Sequence, residues 1–329
     1  MRIAVLCSGG DAPGMNACVR AVVRAGISAG HEVIGICRGY SGLLREEFFL
    51  NEQGEPRMSL RSVSDIGRRG GTILHTSRCE EFYTEAGQKR AAEILRKNKI
   101  DALIPIGGDG TFHGAVALAK HWDGQIIGCP GTIDNDLLGT DYTIGFATAV
   151  HTAVDAVDKL RDTADAHERM FLVEVMGRHS GYIALYTAIA ASAEIACIPE
   201  TPTDITEIIR QLHELKGRGK TSVMVIVAEG DERGGAAALQ KALCENGCPF
   251  ETRVLALGHL QRGGSPVPQD RILAARLGDF AVRSILAGKT GCMAGERQGE
   301  LVLVPFEETY AAHKPVPQDL VRLLETLAS

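Results

Sequence analysis

Two stretches of this chain run from an apolar, strand-like segment through a glycine-rich loop into a segment with helical spacing. In the first, Ile3–Cys7 leads into the loop Ser8–Asn16, and in the second, Ala102–Ile106 leads into Gly107–Thr111. A strand that feeds a helix in this way is the repeating unit of α/β proteins with largely parallel sheets. Glycine also lets backbone N–H groups approach an anion at a helix N-terminus, where negative charge is favoured. The two loops therefore predict an α/β fold that binds a phosphorylated ligand.

The glycine pattern narrows the class of ligand only in part. Neither loop ends in the Gly-Lys-Ser/Thr of a Walker A sequence, and neither has the dinucleotide-binding fingerprint. Each loop carries one carboxylate, that of Asp11 or Asp109. The pair of loops favours a nucleotide bound with a divalent metal ion. A tight turn is the alternative explanation for either loop alone.

Strand and helix signals alternate along the rest of the chain, which has 329 residues and therefore suits two domains. No linker-like segment marks a boundary, so we expect the chain to pass between the domains more than once. Further strands are predicted at Glu32–Cys37, Gln125–Cys129, Phe171–Val175, Ser222–Ala228 and Val254–Leu257. Further helices are predicted at Asn16–Ala25, Ala86–Asn98, Phe112–Lys120, Val150–Thr163, Thr206–Lys216, Ala236–Glu245 and Gln269–Ala287.

The composition argues against several other classes of protein. Hydrophobic residues make up 45% of the chain and charged residues 23%, and a net charge of −6 argues against general nucleic-acid binding. No apolar run of about 18 residues or more appears, and a strand-like segment begins almost at once, which leaves no room for a signal peptide. The nine cysteines are scattered, and Cys244 and Cys248, the closest pair, lack further zinc ligands. We therefore expect a cytoplasmic protein with reduced cysteines.

The segment Pro130–Asp136 is the strongest candidate for a catalytic site. It follows the predicted strand Gln125–Cys129, at the point where open α/β sheets bind ligands. Thr132, Asp134 and Asp136 are spaced by two, so their side chains point to one side of an extended backbone. Two carboxylates aimed one way can hold a metal ion or accept a proton from a substrate hydroxyl. An Asp/Asn-rich surface turn is the alternative.

Basic residues near predicted strand ends in the second half of the chain indicate an anion site. Five of them are placed in this way: Arg169, Arg178, Arg253, His259 and Arg262. Arg presents a planar fork that grips phosphate oxygens, and His adds a donor. Glu229 ends another predicted strand and can accept hydrogen bonds from sugar hydroxyls. Ordinary solvated surface arginines are the alternative.

The ordered motifs resemble those of the ATP-dependent 6-phosphofructokinases of the short bacterial type (the phosphofructokinase A family). The resemblance covers nearly the whole chain through Ser8–Asn16, Arg68–Thr72, Gly107–Gly110, Pro130–Asp136, Gly139–Phe146, Val173–Arg178 and Leu257–Asp270. It implies two Rossmann-like three-layer domains with mostly parallel sheets. The implied ATP-binding domain takes residues 1–145 plus about 261–310, and the implied fructose 6-phosphate-binding domain takes 146–260 plus the C-terminal segment.

That family transfers the γ-phosphoryl group of MgATP to the 1-hydroxyl of fructose 6-phosphate, the committed step of glycolysis. The resemblance implies that Asp134 is the general base, that Thr132 positions the reacting groups and that Arg178 neutralises the moving phosphoryl group. Asp136 would assist through a water, and Gly10 would also act in catalysis.

The same resemblance implies two sets of binding residues, with Mg²⁺ on Asp109. The implied ATP site contains Gly10, Arg78, Cys79, Gly108, Asp109, Gly110 and Thr111. The implied fructose 6-phosphate site contains Thr132, Asp134, Asp136, Arg169, Met176, Gly177, Arg178, Glu229, Arg253, His259 and Arg262. In this set, His259 and Arg262 would bind the 6-phosphate, while Met176 and Glu229 would lie along the sugar.

A homotetramer is also implied, because family residues matching Arg169 and Arg253 reach the neighbouring subunit's active site. A site for ADP or phosphoenolpyruvate as effector is implied at a subunit interface, and its matching residues here are Arg20, Arg24, Arg161, Arg218 and Lys220. The chain departs from the pattern at Leu60, where the family often has an effector-binding Arg, with Arg61 following it. Tyr83 stands where some relatives have an Arg beside the adenine, and Phe82 is a candidate for the same wall.

Three alternatives remain open from the sequence. Pyrophosphate-dependent relatives tend to carry Asp at position 110 and Lys at position 131, whereas both residues are Gly here, which favours ATP because bulkier side chains would intrude on its α-phosphate. A non-catalytic sugar-phosphate or nucleotide sensor on the same fold is the second alternative. A kinase for another phosphosugar, such as tagatose 6-phosphate, is the third.

Overall fold

A computed structural model describes residues 1–327, which divide into two compact units. The first unit contains Met1–Ile133, Leu137–Ala147 and Arg262–His313. The second contains Asp134–Asp136, Thr148–Gln261 and the described residues from Lys314 onward. The chain therefore passes between the units several times, and the acidic segment Asp134–Asp136 is grouped with the second unit although its flanking residues belong to the first.

Strands and helices alternate along most of the described chain. The strands are β1 (Arg2–Cys7), β2 (Glu32–Ile36), β3 (Ala102–Gly107), β4 (Gln125–Thr132), β5 (Ile144–Gly145), β6 (Arg169–Val175), β7 (Ile195–Cys197), β8 (Val223–Ala228), β9 (Glu251–Ala256), β10 (Cys292–Arg297) and β11 (Glu300–Pro305). The helices are α1 (Met15–Ser28), α2 (Gly39–Leu44), α3 (Glu85–Lys97), α4 (Asp109–Ala119), α5 (Phe146–His167), α6 (Tyr182–Ala190), α7 (Ile205–Gly217), α8 (Gly235–Glu245), α9 (Pro268–Leu286), α10 (Phe306–Thr309) and α11 (Gln318–Leu327). Short 3₁₀ turns occur at Ile66–Arg68, Glu81–Tyr83 and Gly258–Arg262.

The first unit is built on a seven-stranded sheet in the order β11-β10-β4-β3-β1-β2, with β5 beside β4. Its strand pairs are parallel, except that β10 and β11 are antiparallel. The core contains Phe112 of α4, which is fully buried and lies 5.0 Å from the ring of Phe306. Because β3 lies between β1 and β4, the carboxyl ends of all three strands meet at one edge of the sheet.

The second unit has a four-stranded sheet in the order β7-β8-β6-β9, with parallel pairs throughout. All six residues of β8 are buried, as expected for a central parallel strand. Four of the six residues of β9 are exposed, since β9 lies at the edge of this sheet. The helix α7 begins at an Asp204 cap, whose carboxylate accepts hydrogen bonds from the backbone N–H groups of Thr206 and Glu207.

The predicted α/β fold with mostly parallel sheets is confirmed, and each predicted strand and helix is present with shifted ends. Two strands are three residues longer at one end than expected: β9 begins at Glu251 and not at Val254, and β4 was expected to end at Cys129 but continues to Thr132. The ladder extends because Gly131 and Thr132 pair with Ile144 and Gly145 of β5. At the helix predicted to begin at Val150, α5 already begins at Phe146.

Several elements were missed, including α6, β7 and the hairpin of β10 and β11. The hairpin turns at Gln298 and Gly299, which have φ angles of 51° and 82°. Two consecutive residues with positive φ form the tight turn that suits the twist of a hairpin. The sequence signal was a single glycine after a polar residue, which is weaker than the usual Asn-Gly or Asp-Gly.

Candidate active site

The two glycine loops lie side by side in the first unit, at the carboxyl ends of the neighbouring strands β1 and β3. The backbone N–H of Ser8 donates to Ile106 O at 3.0 Å, and the Thr111 hydroxyl donates to Ser8 O at 3.1 Å. The Tyr40 hydroxyl in turn donates to Thr111 O at 2.8 Å. These bonds join the loops into one surface, and the second loop leads into the N-terminus of α4, which favours an anion.

Gly107 and Gly110 of the second loop have different surroundings: the first is tightly packed and the second faces open space. A Cβ at Gly107 would lie 2.2 Å from Thr111 Oγ1 and 2.4 Å from Ser8 O, so packing excludes a side chain there. A Cβ at Gly110 would meet nothing within 4 Å. The space beside Gly110 is therefore open, which agrees with room for a ligand at that position.

Gly131 has a packing reason to be glycine in addition to the one expected from the sequence. A Cβ at this position would lie 2.9 Å from Ile106 Cγ2 and 3.0 Å from Met15 Cε, both core atoms of the first unit. Packing within the first unit therefore disfavours a side chain at position 131. Only Gly110 supports the expectation of free space for a nucleotide.

Gly10 and Arg262 are brought together, although the sequence assigned them to different ligands. A Cβ at Gly10 would lie 3.0 Å from one terminal guanidinium nitrogen of Arg262. The Nε atom of Arg262 is buried and has no hydrogen-bond partner among the described residues. A buried cationic donor without a partner is costly, so this arrangement suits an anionic ligand beside the first glycine loop.

Asp109 and Thr132 lie at the second glycine loop. Asp109 is the first residue of α4, and its Oδ1 accepts a hydrogen bond from Gly110 N at 2.7 Å. Thr132 ends β4, and its Oγ1 would lie 3.9 Å from a Cβ at Gly108. In residues 1–327 there is no group of three or more His, Cys, Asp or Glu side chains arranged to hold a metal ion. Asp109 alone still fits Mg²⁺, which is often held by one or two carboxylates together with substrate phosphates and waters.

Asp134 forms the central ion pair of the second unit. Its carboxylate is nearly buried, with 7% of the side chain exposed, and its Oδ2 lies 3.7 Å from Nε of Arg178. The Arg178 side chain is 46% exposed, so the guanidinium remains accessible to a ligand. The backbone is fixed nearby, because the Ser180 hydroxyl donates to Asp134 O at 2.8 Å.

The expected strand alternation of Thr132, Asp134 and Asp136 is wrong. The strand ends at Thr132, and Asn135 adopts a left-handed conformation with φ of 50° while being fully buried. A turn therefore determines where the two carboxylates point. The alternative of a surface turn is also wrong in part, because Asp134 and Asn135 are buried.

The turn that carries Arg178 is held by two side chains, one of which the sequence analysis missed. Oε1 of Glu229 accepts hydrogen bonds from the N–H groups of Gly177 and Arg178, at 3.3 and 2.9 Å. Oε1 of Gln261, which is fully buried, accepts one from Met176 N at 2.8 Å. The Gln261 Nε2 atom has no hydrogen-bond partner within residues 1–327. Gln261 lies in a motif that the sequence analysis noted, but nothing in the sequence distinguishes its amide from that of a surface Gln.

Arg178 itself has a φ of 52°. Gly230 leaves space for this turn, since a Cβ there would lie 1.7 Å from Arg178 O. No sequence signal identified Gly230, because the constraint comes from a loop that is distant along the chain.

Arg169 and Arg253 converge on Glu251 in neighbouring strands of the second sheet. Nε of Arg169 lies 3.2 Å from Glu251, and Arg253 forms a second ion pair with the same carboxylate. Hydrogen bonds from Arg169, and next from Arg253, hold the pKa of Glu251 below its ordinary value. His259 is exposed just after this edge strand. Arg253 and His259 are therefore accessible, whereas Arg169 lies on the inner strand β6 with 27% of its side chain exposed.

Three of the five predicted effector residues are near one another in the second unit. Lys220 and Arg161 both pair with Glu194, whose side chain is only 3% exposed, and Arg218 lines the same cavity of about 430 Å³ as Glu194. Arg20 and Arg24 lie on α1 of the first unit. Glu194 was not predicted from the sequence, although a carboxylate directly before an apolar strand was an available signal.

The predicted aromatic wall is wrong for Phe82. This residue is buried and stacks on Tyr40, with ring centroids 4.1 Å apart, so it belongs to the core of the first unit. Tyr83 is 81% exposed and therefore remains available to contact a ligand.

Other residues singled out in the first unit differ in exposure. Leu60, where the chain departs from the family pattern, and Arg61 after it are both exposed. Cys79 packs partly buried against the same core as Phe82, and Arg78 before it is exposed.

The helices and the cysteines can be compared with the expectations from composition. None of the helices in residues 1–327 is both long and apolar enough to cross a membrane. The cysteines are all free thiols, and burial raises the pKa of Cys7 to about 12. Cys244 and Cys248 lie near the end of α8 and belong to no metal-binding group in the part of the chain that the structure describes.

Glycine loops at strand ends, together with a buried aspartate paired with a half-exposed arginine, define an α/β protein suited to phosphorylated ligands. The phosphofructokinase family matches residues 2–285. The ATP-dependent 6-phosphofructokinase 1 of Thermus thermophilus is 50% identical over 327 residues, covering 99% of each chain. The ATP-dependent 6-phosphofructokinase of Paenibacillus macquariensis is 50% identical over 327 residues, covering 99% of this chain and 98% of the relative.

A solved structure agrees with these relatives. The crystal structure of Pichia pastoris phosphofructokinase in the T-state superposes with a TM-score of 0.85 at 34% identity. It covers 99% of this chain, which spans only 36% of the Pichia chain. This chain belongs to the phosphofructokinase family, which confirms the resemblance inferred from the ordered motifs.

The contrast between Gly107 and Gly110 gives a test of the loop packing. We expect Gly107→Ala to lower the free energy of unfolding by about 1–3 kcal/mol, because overpacking forces the neighbouring backbone to shift. Gly110→Ala is the matched control and should not lower it, since its methyl group enters open space. Urea denaturation of both variants measures the difference. Equal midpoints for the two variants would contradict the described packing.

Proposed function

We propose that this chain transfers the γ-phosphoryl group of MgATP to the 1-hydroxyl of fructose 6-phosphate, giving fructose 1,6-bisphosphate and ADP. The observation that carries the proposal is the buried Asp134 carboxylate with the Arg178 guanidinium 3.7 Å away, just beyond the end of β4. Relatives named ATP-dependent 6-phosphofructokinase match the chain over nearly its full length. A binding protein without catalysis has no need for such a pair.

The chemical step assigns each side chain a separate role. The oxygen of the 1-hydroxyl attacks the γ-phosphorus, the bond from that phosphorus to its bridging oxygen breaks, and ADP leaves. Asp134 takes the hydroxyl proton, and Arg178 stabilises the charge on the phosphoryl group in flight. Thr132 positions the reacting groups, and Asp136 assists through a water. Because the transition state is loose, a weakly basic carboxylate is sufficient for late proton removal.

The nucleotide is held by the glycine loops of the first unit. Gly10 and the segment Gly108–Thr111 offer backbone N–H groups to the phosphates, and Arg78 and Cys79 complete the site. Asp109 holds Mg²⁺, which supplies charge neutralisation on the phosphate oxygens when it is bound. Open space beside Gly110 supports ATP as the donor.

The sugar phosphate is held by the basic residues and the turn at Met176–Arg178. His259, Arg262, Arg169 and Arg253 serve as anion ligands. Glu229 uses Oε1 to hold the backbone of this turn, so its second oxygen is the candidate acceptor for a sugar hydroxyl. Binding of the sugar is in this way linked to the geometry of Arg178, because Glu229 contacts both.

A homotetramer with effector regulation completes the proposal. The open edge strand β9 carries exposed Arg253, and an exposed sheet edge is a surface that proteins commonly cover. Arg169 and Arg253 would reach the active site of a neighbouring subunit. The basic residues Arg161, Arg218 and Lys220, together with Arg20 and Arg24, would bind ADP or phosphoenolpyruvate.

The donor is tested by turnover of fructose 6-phosphate with magnesium and either ATP or pyrophosphate. We expect turnover with ATP only. Turnover with pyrophosphate only would overturn the donor assignment while keeping the sugar site. Turnover with neither would overturn the kinase proposal for this sugar, and a parallel assay with tagatose 6-phosphate then separates a different kinase from a non-catalytic sensor.

The anion role of Arg253 is tested by Arg253→Ser. We expect the half-saturation for fructose 6-phosphate to rise about tenfold, since a hydrogen bond to a charged group contributes about 1.5–3 kcal/mol before solvent screening. Arg283→Ser is the control, because Arg283 is an exposed arginine paired within α9. Steady-state kinetics with each substrate varied in turn gives the two constants. A change confined to the ATP constant would contradict the assignment.

A further inference from the structure

The C-terminal segment, which begins at Lys314, contacts the turn Asp134–Asp136 within the second unit. Nζ of Lys314 donates to Oδ1 of Asn135 at 3.2 Å. The same ammonium lies 4.9 Å from the centre of the Tyr182 ring, within the range of a cation–π contact. The Tyr182 hydroxyl donates to Pro315 O at 2.9 Å, which fixes the backbone beside Lys314. Lys314 is therefore held on one side by Tyr182 and contacts Asn135 on the other.

Asn135 is a residue that needs such support. It is fully buried and left-handed, with φ of 50°, a conformation that Asn adopts more readily than most non-glycine residues but that still needs compensating contacts in a buried turn. It is also the residue between Asp134 and Asp136. Rotation about its backbone would change the direction of both neighbouring carboxylates.

Side chains from different parts of the chain hold the turn Asp134–Asp136. The Ser180 hydroxyl holds the carbonyl of Asp134, and Lys314 holds the side chain of Asn135. Ser180 lies between Arg178 and Tyr182 along the chain, so one short segment provides both the guanidinium beside Asp134 and the ring beneath Lys314. The C-terminal segment therefore contacts residues that are close along the chain to both members of the Asp134–Arg178 pair, since Asn135 follows Asp134 and Tyr182 lies four residues after Arg178.

We propose that Lys314 is a positioning residue that acts on catalysis through Asn135, by fixing the direction of the Asp134 carboxylate. The proposal rests on the proposed function, since it assumes that Asp134 is the base. The C-terminal segment would thus hold the turn that carries Asp134, whereas the glycine loops and the basic residues would bind the substrates. A displacement of about 1 Å at a catalytic group can reduce a rate by about a hundredfold.

The test compares Lys314→Met with Lys314→Arg and with Lys241→Met as the matched control. Methionine keeps an unbranched chain but removes the ammonium, whereas arginine keeps the charge and donors. Lys241 is an exposed lysine of α8 whose ammonium lies 3.9 Å from Glu245. We expect Lys314→Met to lower kcat by about tenfold to a hundredfold, with both KM values nearly unchanged. Lys314→Arg should recover part of this loss, and Lys241→Met should behave as the wild type.

A double variant shows whether the effect passes through Asp134. In an Asp134→Asn background, Lys314→Met should change the residual kcat by less than about twofold, because residues that act as a unit are not additive. A full additional loss in that background would overturn the proposal. A parallel rise in both KM values with unchanged kcat would overturn it as well.

Hydrogen exchange separates this proposal from the proposed function. We expect the amides of residues 134–136 to exchange faster in Lys314→Met and unchanged in Lys241→Met, whether or not the protein phosphorylates fructose 6-phosphate. Unchanged exchange in Lys314→Met would overturn the positioning role in an active enzyme. If the wild type has no turnover but exchange is faster in Lys314→Met, Lys314 still holds the turn, and only its role in catalysis is overturned.

Discussion

A buried left-handed turn at the end of β4 is the constraint on which the chemistry depends. The ladder with β5 keeps β4 regular through Thr132, and the backbone then turns at Asn135 with φ of 50°. Such a conformation has a backbone cost, smaller for Asn than for most non-glycine residues, that contacts with the surroundings must offset. The Ser180 hydroxyl and the Lys314 ammonium provide those contacts, so the stability of the second unit is used to direct the Asp134 carboxylate.

Arg178, the ion-pair partner of Asp134, is also fixed by contacts to its backbone. Arg178 also has positive φ, and Glu229 holds its backbone N–H while Gln261 holds that of Met176. Both charged groups therefore sit on turns whose geometry is set before any ligand binds. In the proposed reaction, a base and a cation fixed in advance would need little reorganisation, which is the main source of electrostatic catalysis. Burial of the Asp134 side chain, which is 7% exposed, strengthens its interaction with Arg178 relative to a pair in water.

The fold and the family were predictable from sequence, and so was the position of the candidate residues near strand ends, whereas the details of the turns were not. Apolar strands followed by glycine loops identified the parallel sheets, because each signal is local. The ordered motifs identified the family. Strand alternation gave the wrong account of Asp134 and Asp136, since the turn at Asn135 depends on distant Lys314. Gln261, Glu194 and Gly230 were missed for the same reason: their roles arise from contacts across the fold. Phe82 was misplaced because an aromatic residue next to a binding motif can equally belong to the core.

The central claim is that Asp134 acts on the chemical step and not on binding. A rapid-quench, single-turnover measurement with prebound fructose 6-phosphate and labelled ATP tests it most directly, by comparing wild type with Asp134→Asn. Loss of a general base should slow phosphoryl transfer itself by about 10²–10⁴-fold, while the concentration dependence of the transfer rate on either substrate stays close to that of wild type. Phosphoryl transfer at the wild-type rate in Asp134→Asn would contradict the claim and assign Asp134 to a later step such as product release.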